Sequence, residues 1–211
     1  MNLADGLGQL TYCLNIHPTQ SWAEARAALL GPVAAVKRAI CPDAPFAVGL
    51  RFSAEATRTL AQPDARAELR AILAGHDYRP VTVNGFPYGP FHGTRVKEEV
   101  YQPDWTRPER ARYTVALAEL MADLNPPDSF VSLSTVPGTF KPLAAGNEGC
   151  MADALLGVAA ALHELRTRTG RTVALAIEPE PFCFLETVDE AIAFFDRHLF
   201  SEPAVAARRS R

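Results

Sequence analysis

Hydrophobic and polar positions along this chain fall into five alternating runs, each followed by a stretch of helical period. Gln9 to His17 alternates and is rich in β-formers, which predicts a first strand. Ser21, with Glu24 three residues on, predicts a capping box opening a helix towards Ile40, with Gly31-Pro32 as a candidate interruption. Phe46 to Ser53 reads as a second strand, and residues 54 to 74 as a helix broken near Pro63. A third strand, Pro80 to Phe86, leads into a long loop, Pro87 to Arg107, whose glycines, prolines and aromatics mark a functional loop. Pro108 suits the first turn of a helix reaching about Leu124. Phe130 to Val136 is the fourth strand, followed by a helix from Glu148 to Thr169 with Gly170 as its C-cap. Thr172 to Glu178 is the fifth strand and Thr187 to Leu199 its helix.

Strand-then-helix units in succession require parallel strands with right-handed crossovers, hence an α/β fold. An open doubly wound sheet normally carries a glycine-rich phosphate turn after its first strand, but this chain has His17-Pro18-Thr19-Gln20 there. Within each strand the large apolar residues keep one parity: Leu10, Tyr12, Leu14, Ile16; Phe46, Val48, Leu50, Phe52; Val81, Val83; Val131, Leu133; Val173, Leu175, Ile177. The opposite parity is small or polar: Thr11, Cys13, Asn15, His17; Ala47, Gly49, Arg51, Ser53; Thr82, Asn84; Ser132, Ser134; Ala174, Ala176, Glu178. Outer helices need the apolar parity, so the polar parity is expected to face a barrel interior with its polar end at the mouth. A (β/α) TIM-type barrel needs eight units and about 250 residues. Residues 1–200 are therefore expected to be part of a barrel truncated to five units, the alternative being an open five-stranded α/β domain with its last strand as an unprotected edge, and residues 201–211 a basic, disordered tail.

Composition narrows the function. The chain has 211 residues, 48% of them apolar, and a net charge of −3, with no basic footprint for nucleic acid. No secretory leader is visible at Met1 to Leu10, and no apolar run approaches the ~20 residues of a membrane span. Cys13, Cys41, Cys150 and Cys183 form no CxxC pair and are expected to be reduced core thiols of a cytoplasmic protein.

The candidate chemistry gathers at strand ends. Glu178 and Glu180, flanking Pro179, suit a divalent-metal ligand or a base beside a carbonyl; the alternative is a structural pair with Arg51. Arg51 itself suits a bidentate clamp on a carboxylate or phosphate. The segment Asn84 to Arg95 is dense in function-capable groups: Phe86, Tyr88 and Phe91 as an apolar wall, with His92 and Arg95 as ligand and cation. Asn15 and His17 close the first strand, His17 as a mouth residue or a ligand. Ser134 to Lys141 offers hydroxyls and backbone donors for an oxyanion. His163 and Glu164 are expected to be solvated on their helix.

Asn84-Gly85-Phe86-Pro87-Tyr88-Gly89-Pro90-Phe91-His92-Gly93 with Ile177-Glu178-Pro179 resembles the xylose isomerase-like TIM-barrel superfamily. Leu10-Thr11-Tyr12-Cys13-Leu14-Asn15-Ile16-His17-Pro18, the longer run from Asn84 to Trp105, and Ser134-Thr135-Val136-Pro137-Gly138 resemble more closely the EboE-type metabolite traffic proteins. The resemblance implies a longer cytoplasmic protein that handles a small metabolite precursor for export to the cell envelope, alongside other proteins of that export pathway. The charge balance argues against nucleic acid, and the lack of a long apolar run against direct membrane insertion. In the catalytic relatives a Glu at this strand end binds a divalent metal (Mn, Mg or Zn), which would make Glu178, with Glu180, the start of a metal site. Its other ligands come from strands six to eight, so in this chain that site is incomplete. Glu178 would then be catalytic; on the reading of the residues themselves His92 is expected to join it, with Asn15, His17, Arg51, Asn84, Tyr88, Arg95 and Ser134 binding substrate. Two functions therefore compete: metabolite traffic, and a metal-dependent sugar isomerase or epimerase.

Overall fold

A computed structural model describes residues 3, 8–89 and 100–201 of the chain. Five strands form one parallel sheet in the unbroken order β1 (Tyr12–Cys13), β2 (Phe46–Arg51), β3 (Tyr78–Asn84), β4 (Phe130–Thr135) and β5 (Thr172–Ile177). Between and after them run α1 (Trp22–Ala28), α2 (Ala34–Ile40), α3 (Ala54–Leu60), α4 (Pro63–Gly75), α5 (Pro108–Leu124), α6 (Glu148–Thr169) and α7 (Val188–Phe194). Among the described residues the strand order never reverses, so they form no switch point of the doubly wound kind.

Local sequence accounts for most boundaries. Ser21 and Thr187 each form a complete capping box, with Glu24 and Glu190 respectively, opening α1 and α7. Pro63 and Pro108 occupy the first turns of α4 and α5, and Gly170 ends α6 at φ 71°. Gly31-Pro32 does not stop its helix; the chain widens into a π-helical turn at Leu29–Val33 and continues as α2. The Tyr78 hydroxyl donates to the Leu29 carbonyl beside that turn, at 2.9 Å.

The first strand departs from expectation. Only Tyr12 and Cys13 pair with β2; Leu14–Ile16 then coil into a 3₁₀ turn closed by His17 N–H on the Leu14 carbonyl. An edge strand has one neighbour to hold it extended, so a local turn bond competes well there. Leu14 is buried, but Leu10 and Ile16 face solvent at 54% and 68% exposure, so the outer parity of this run fails.

Elsewhere the parity holds, with one adjustment. Phe46, Val48, Leu50, Val83, Val131, Leu133 and Val173 pack with helix residues such as Leu29, Leu60, Leu69, Leu117 and Met121 in one core. Each such side chain contributes about 1.5–3 kcal/mol when buried. Val81 is the exception: β2 and β3 slip register there, Val48 facing Pro80 and Gly49 facing Thr82. The extra residue lets Tyr78 and Pro80 turn to the helices while Thr82 and Asn84 turn to the other face.

That other face is built in rungs. Cys13, Gly49, Thr82, Ser132 and Ala174 follow one another across all five strands. Packing within the rung is close: a Cβ on Gly49 would lie 2.8 Å from Cys13 Sγ, and Ser132 is hydrogen-bonded to Thr82 at 2.7 Å. The next rung reads Arg51, Asn84, Ser134 and Ala176. A second core of Phe86, Trp105, Val136, Met151, Leu155, Leu185 and Phe194 is a separate cluster. Core thiols are realised at Cys183 alone; Cys13 and Cys150 are exposed, Cys41 is half-buried, and all four are unpaired. His163 and Glu164 are exposed on α6, as expected. Among the described residues no helix is long and apolar enough to cross a membrane.

Candidate functional site

Beyond the second rung, the C-terminal ends of the strands border a cleft of about 470 Å³. Asn15 from the 3₁₀ turn, Arg51 from β2 and Asn84 from β3 line it, as do Glu178 and Glu180 after β5. The rest of the wall is Phe86 and Pro87 after β3, with Val100 and Tyr101 from the loop that precedes α5.

Arg51 is 1% exposed. One Nη donates to Thr19 Oγ1 at 2.8 Å and the other to the Gly89 carbonyl at 2.9 Å, while the buried Nε has no acceptor. Both acceptors are neutral. Burial lowers the guanidinium's pKa, and the Tyr113 phenol and the Glu24 carboxylate only partly oppose it. The anticipated structural pair with Glu178 is not formed; no ion pair joins them among the described residues. Beside Arg51 on the same rung, Asn84 Oδ1 accepts the Phe86 N–H at 2.9 Å, an Asx-type turn that leaves the amide NH₂ for the cleft.

The acidic side is held by backbone. Glu178 N–H extends the β4–β5 ladder onto the Thr135 carbonyl at 3.1 Å, and Glu180 N–H donates to the Leu185 carbonyl at 3.2 Å. Glu178 and Glu180 both line the cleft, one on each side of Pro179. Glu180 is held above the usual carboxylate range, first by burial and also by the neighbouring Glu178 charge; a hydrogen bond from Tyr101 opposes both. The Tyr101 hydroxyl, 3.3 Å from Glu180 Oε2, is itself raised by burial and by its bond with Cys183. Burial in turn pushes the Cys183 thiol up to about 11.

Three sequence candidates lie outside this lining. His17 Nε2 is hydrogen-bonded to the Tyr12 hydroxyl at 2.8 Å, and the two rings stack. Tyr88 sets its ring edge-on to Tyr113 at 5.2 Å, and its carbonyl accepts the Ala54 N–H at the start of α3. Ser134 contributes its carbonyl to Gly85 N–H at 3.0 Å. In the loop after β4, expected to offer oxyanion donors, part of the polarity is engaged elsewhere, while the buried Thr135 Oγ1 has no hydrogen-bond partner. Thr139 Oγ1 is hydrogen-bonded to Asp104, Thr135 is buried, and Lys141 pairs with Glu186 and Glu190. His92, Arg95 and Phe91 lie outside the described residues.

Tyr101 and Val100 were not singled out by sequence. The only available signal was the aromatic content of the long loop as a whole. A buried network positions them: Trp105 Nε1 donates to the Val136 carbonyl, and Asp104 accepts from Gln102, Thr106 and Thr139. Arg110 bridges the Pro103 and Gly85 carbonyls, each at 2.7 Å.

For a divalent cation the cleft supplies two carboxylates, Glu178 and Glu180. Among the described residues no group of three or more His, Cys, Asp or Glu is arranged to hold a metal ion. No protein-family model, no curated protein and no solved structure matches this chain.

Proposed function

We propose that this chain is part of a xylose isomerase-like TIM barrel, of the EboE metabolite-traffic kind, and that it holds a small metabolite at the mouth. The unbroken parallel order and the separation of an apolar, helix-covered face from a polar face of stacked rungs support the barrel reading. One observation carries the functional reading. Arg51, Asn84, Glu178 and Glu180, from the ends of β2, β3 and β5, line a single cleft. Polar groups converging on a concave site at strand ends are what ligand recognition in parallel α/β folds requires. In the traffic role the bound metabolite passes to further proteins of an export pathway.

The test is hydrogen exchange on the full chain with and without the small-molecule fraction of its own cells, followed by mass spectrometry of what co-purifies. Protection at 84–89 and 100–101 that survives a chelator is the expected result. Exchange unchanged by any fraction would refute a ligand site.

A second reading, a metal-dependent sugar isomerase or epimerase, draws on the paired carboxylates, one of which has a raised proton affinity suited to a base. Protection that depends strictly on Mn²⁺ would favour it.

A further inference from the structure

We infer that the cleft takes a hydroxylated acid, its carboxylate or phosphate held by Arg51 and its hydroxyls by Glu178 and Glu180. This rests on the reading of the cleft as a metabolite site and adds the charge and direction of the ligand.

Arg51 supplies the first half. A guanidinium that is 1% exposed is normally neutralised by a carboxylate, because water no longer screens it. This chain has such pairs where they matter less: Arg26 with Glu68 and Arg70 with Asp123 lie at its surface. Among the described residues Arg51 instead has two neutral acceptors and a buried Nε with none; Arg110 is held in a similar way, but of the two it is Arg51 that lines the cleft. An anion arriving there supplies the missing charge, and the fork geometry of the guanidinium suits either a carboxylate or a phosphate. The NH₂ of Asn84, on the same rung, adds a donor.

Glu178 and Glu180 supply the second half. They follow β5, three strands from β2, which at the usual strand spacing is about 14 Å along the sheet. Neither is ion-paired among the described residues, so this end of the cleft offers acceptors and repels anions. A cleft with a buried cation at one end and paired carboxylates at the other selects a ligand that is anionic at one end only. The volume of about 470 Å³ leaves room for a six-carbon chain.

Four probes with a common six-carbon polyol chain separate the contributions: D-glucitol, D-gluconate, D-glucitol 6-phosphate and D-glucarate. The readout is the side-chain Nε–H resonance of Arg51 in the ¹³C,¹⁵N-labelled full chain, assigned by through-bond correlation to its own backbone. Gluconate or glucitol 6-phosphate should shift it saturably, and which of the two does so identifies the anionic group. Glucitol should not, and glucarate, acidic at both ends, should bind weaker by about tenfold or more. R51K, which keeps the charge but loses the fork, should weaken the acid by a similar factor with an unchanged circular dichroism spectrum. Should R51K fail to fold, the wild-type titrations still decide. Equal binding of glucitol, equal binding of glucarate, or no shift with either acid overturns the inference. If the resonance stays fixed while the same probes protect 84–89 from exchange, only the charge assignment falls. If neither changes, the metabolite site falls with it.

Discussion

The Tyr101 hydroxyl donates a hydrogen bond to Oε2 of Glu180 at 3.3 Å, joining positions 79 residues apart. Through it the loop before α5 reaches the carboxylates that follow β5. The bond favours the charged form of Glu180, while burial and Glu178 favour the neutral one.

Removing that bond should therefore move a proton affinity. Tyr101→Phe is expected to raise the Glu180 pKa further and to cost about 1 kcal/mol of stability. Carbon-detected titration of the Glu180 carboxyl checks the first and urea unfolding the second. An unmoved or lowered Glu180 titration contradicts the assignment.

Glu180 also makes a stability prediction whose sign is fixed. Its folded pKa lies above the ordinary 4.5, so its effect on folding worsens as pH rises from 4.5 through the folded value. Glu180→Gln should melt higher than wild type at neutral pH. The two should converge below pH 4.5, and melting curves across that range decide it.

The Lys141 cluster has the opposite sign. Lys141 lies 2.6 Å from Glu186 and 2.8 Å from Glu190, and it is the first of the influences that depress Glu190 to about 2. A depressed carboxylate stabilises the fold above its ordinary value of 4.5 and loses that contribution as pH falls towards 2. Lys141→Met should lower Tm at pH 7 by a small amount, since the groups are exposed, and the deficit should shrink through that window. A deficit that persists unchanged at the lowest pH would point to lost packing instead.

Arg110 is buried and bridges the backbone carbonyls of Pro103 and Gly85. Arg110→Ala strands both and opens space, with an expected loss of roughly 2–5 kcal/mol in urea unfolding. Arg110→Lys, which keeps a charge but cannot span both acceptors, should fall between.

Gly85 follows Asn84 where β3 meets β4. A Cβ there would lie 2.8 Å from the Ser134 carbonyl oxygen, which is backbone and cannot swing aside. Gly85→Ala should cost about 1–3 kcal/mol by overpacking and should disturb the neighbouring Asn84 amide resonance.

For the second reading, Glu178→Gln is the deciding variant. If Glu178 carries a divalent metal, calorimetry with Mn²⁺ should lose its heat in the variant and turnover should disappear. Retention of both would end that reading.

Legibility in the sequence followed the range of the forces. Ser21–Glu24, Pro63, Pro108 and Gly170 act within a few residues, so the helix boundaries they set were readable in advance. Strand parity was readable as well, because alternation records which face each side chain will bury. By parity alone Arg51, Asn84 and Glu178 belong to the polar face. Alternation failed where a partner strand had to be known. It overran β1, whose edge position lets a local turn win after Cys13, and it missed the slip at Val81.

The sequence by itself therefore determined five β/α units, a polar face, and the strand-end positions of Arg51, Asn84, Glu178 and Glu180. Tertiary structure alone decided what meets what. It paired Tyr101 with Glu180, set Tyr88 against Tyr113, and left Arg51 buried among neutral acceptors. Those contacts bridge up to 79 positions, and no local pattern encodes them, because they depend on how the packed sheet brings its loops together.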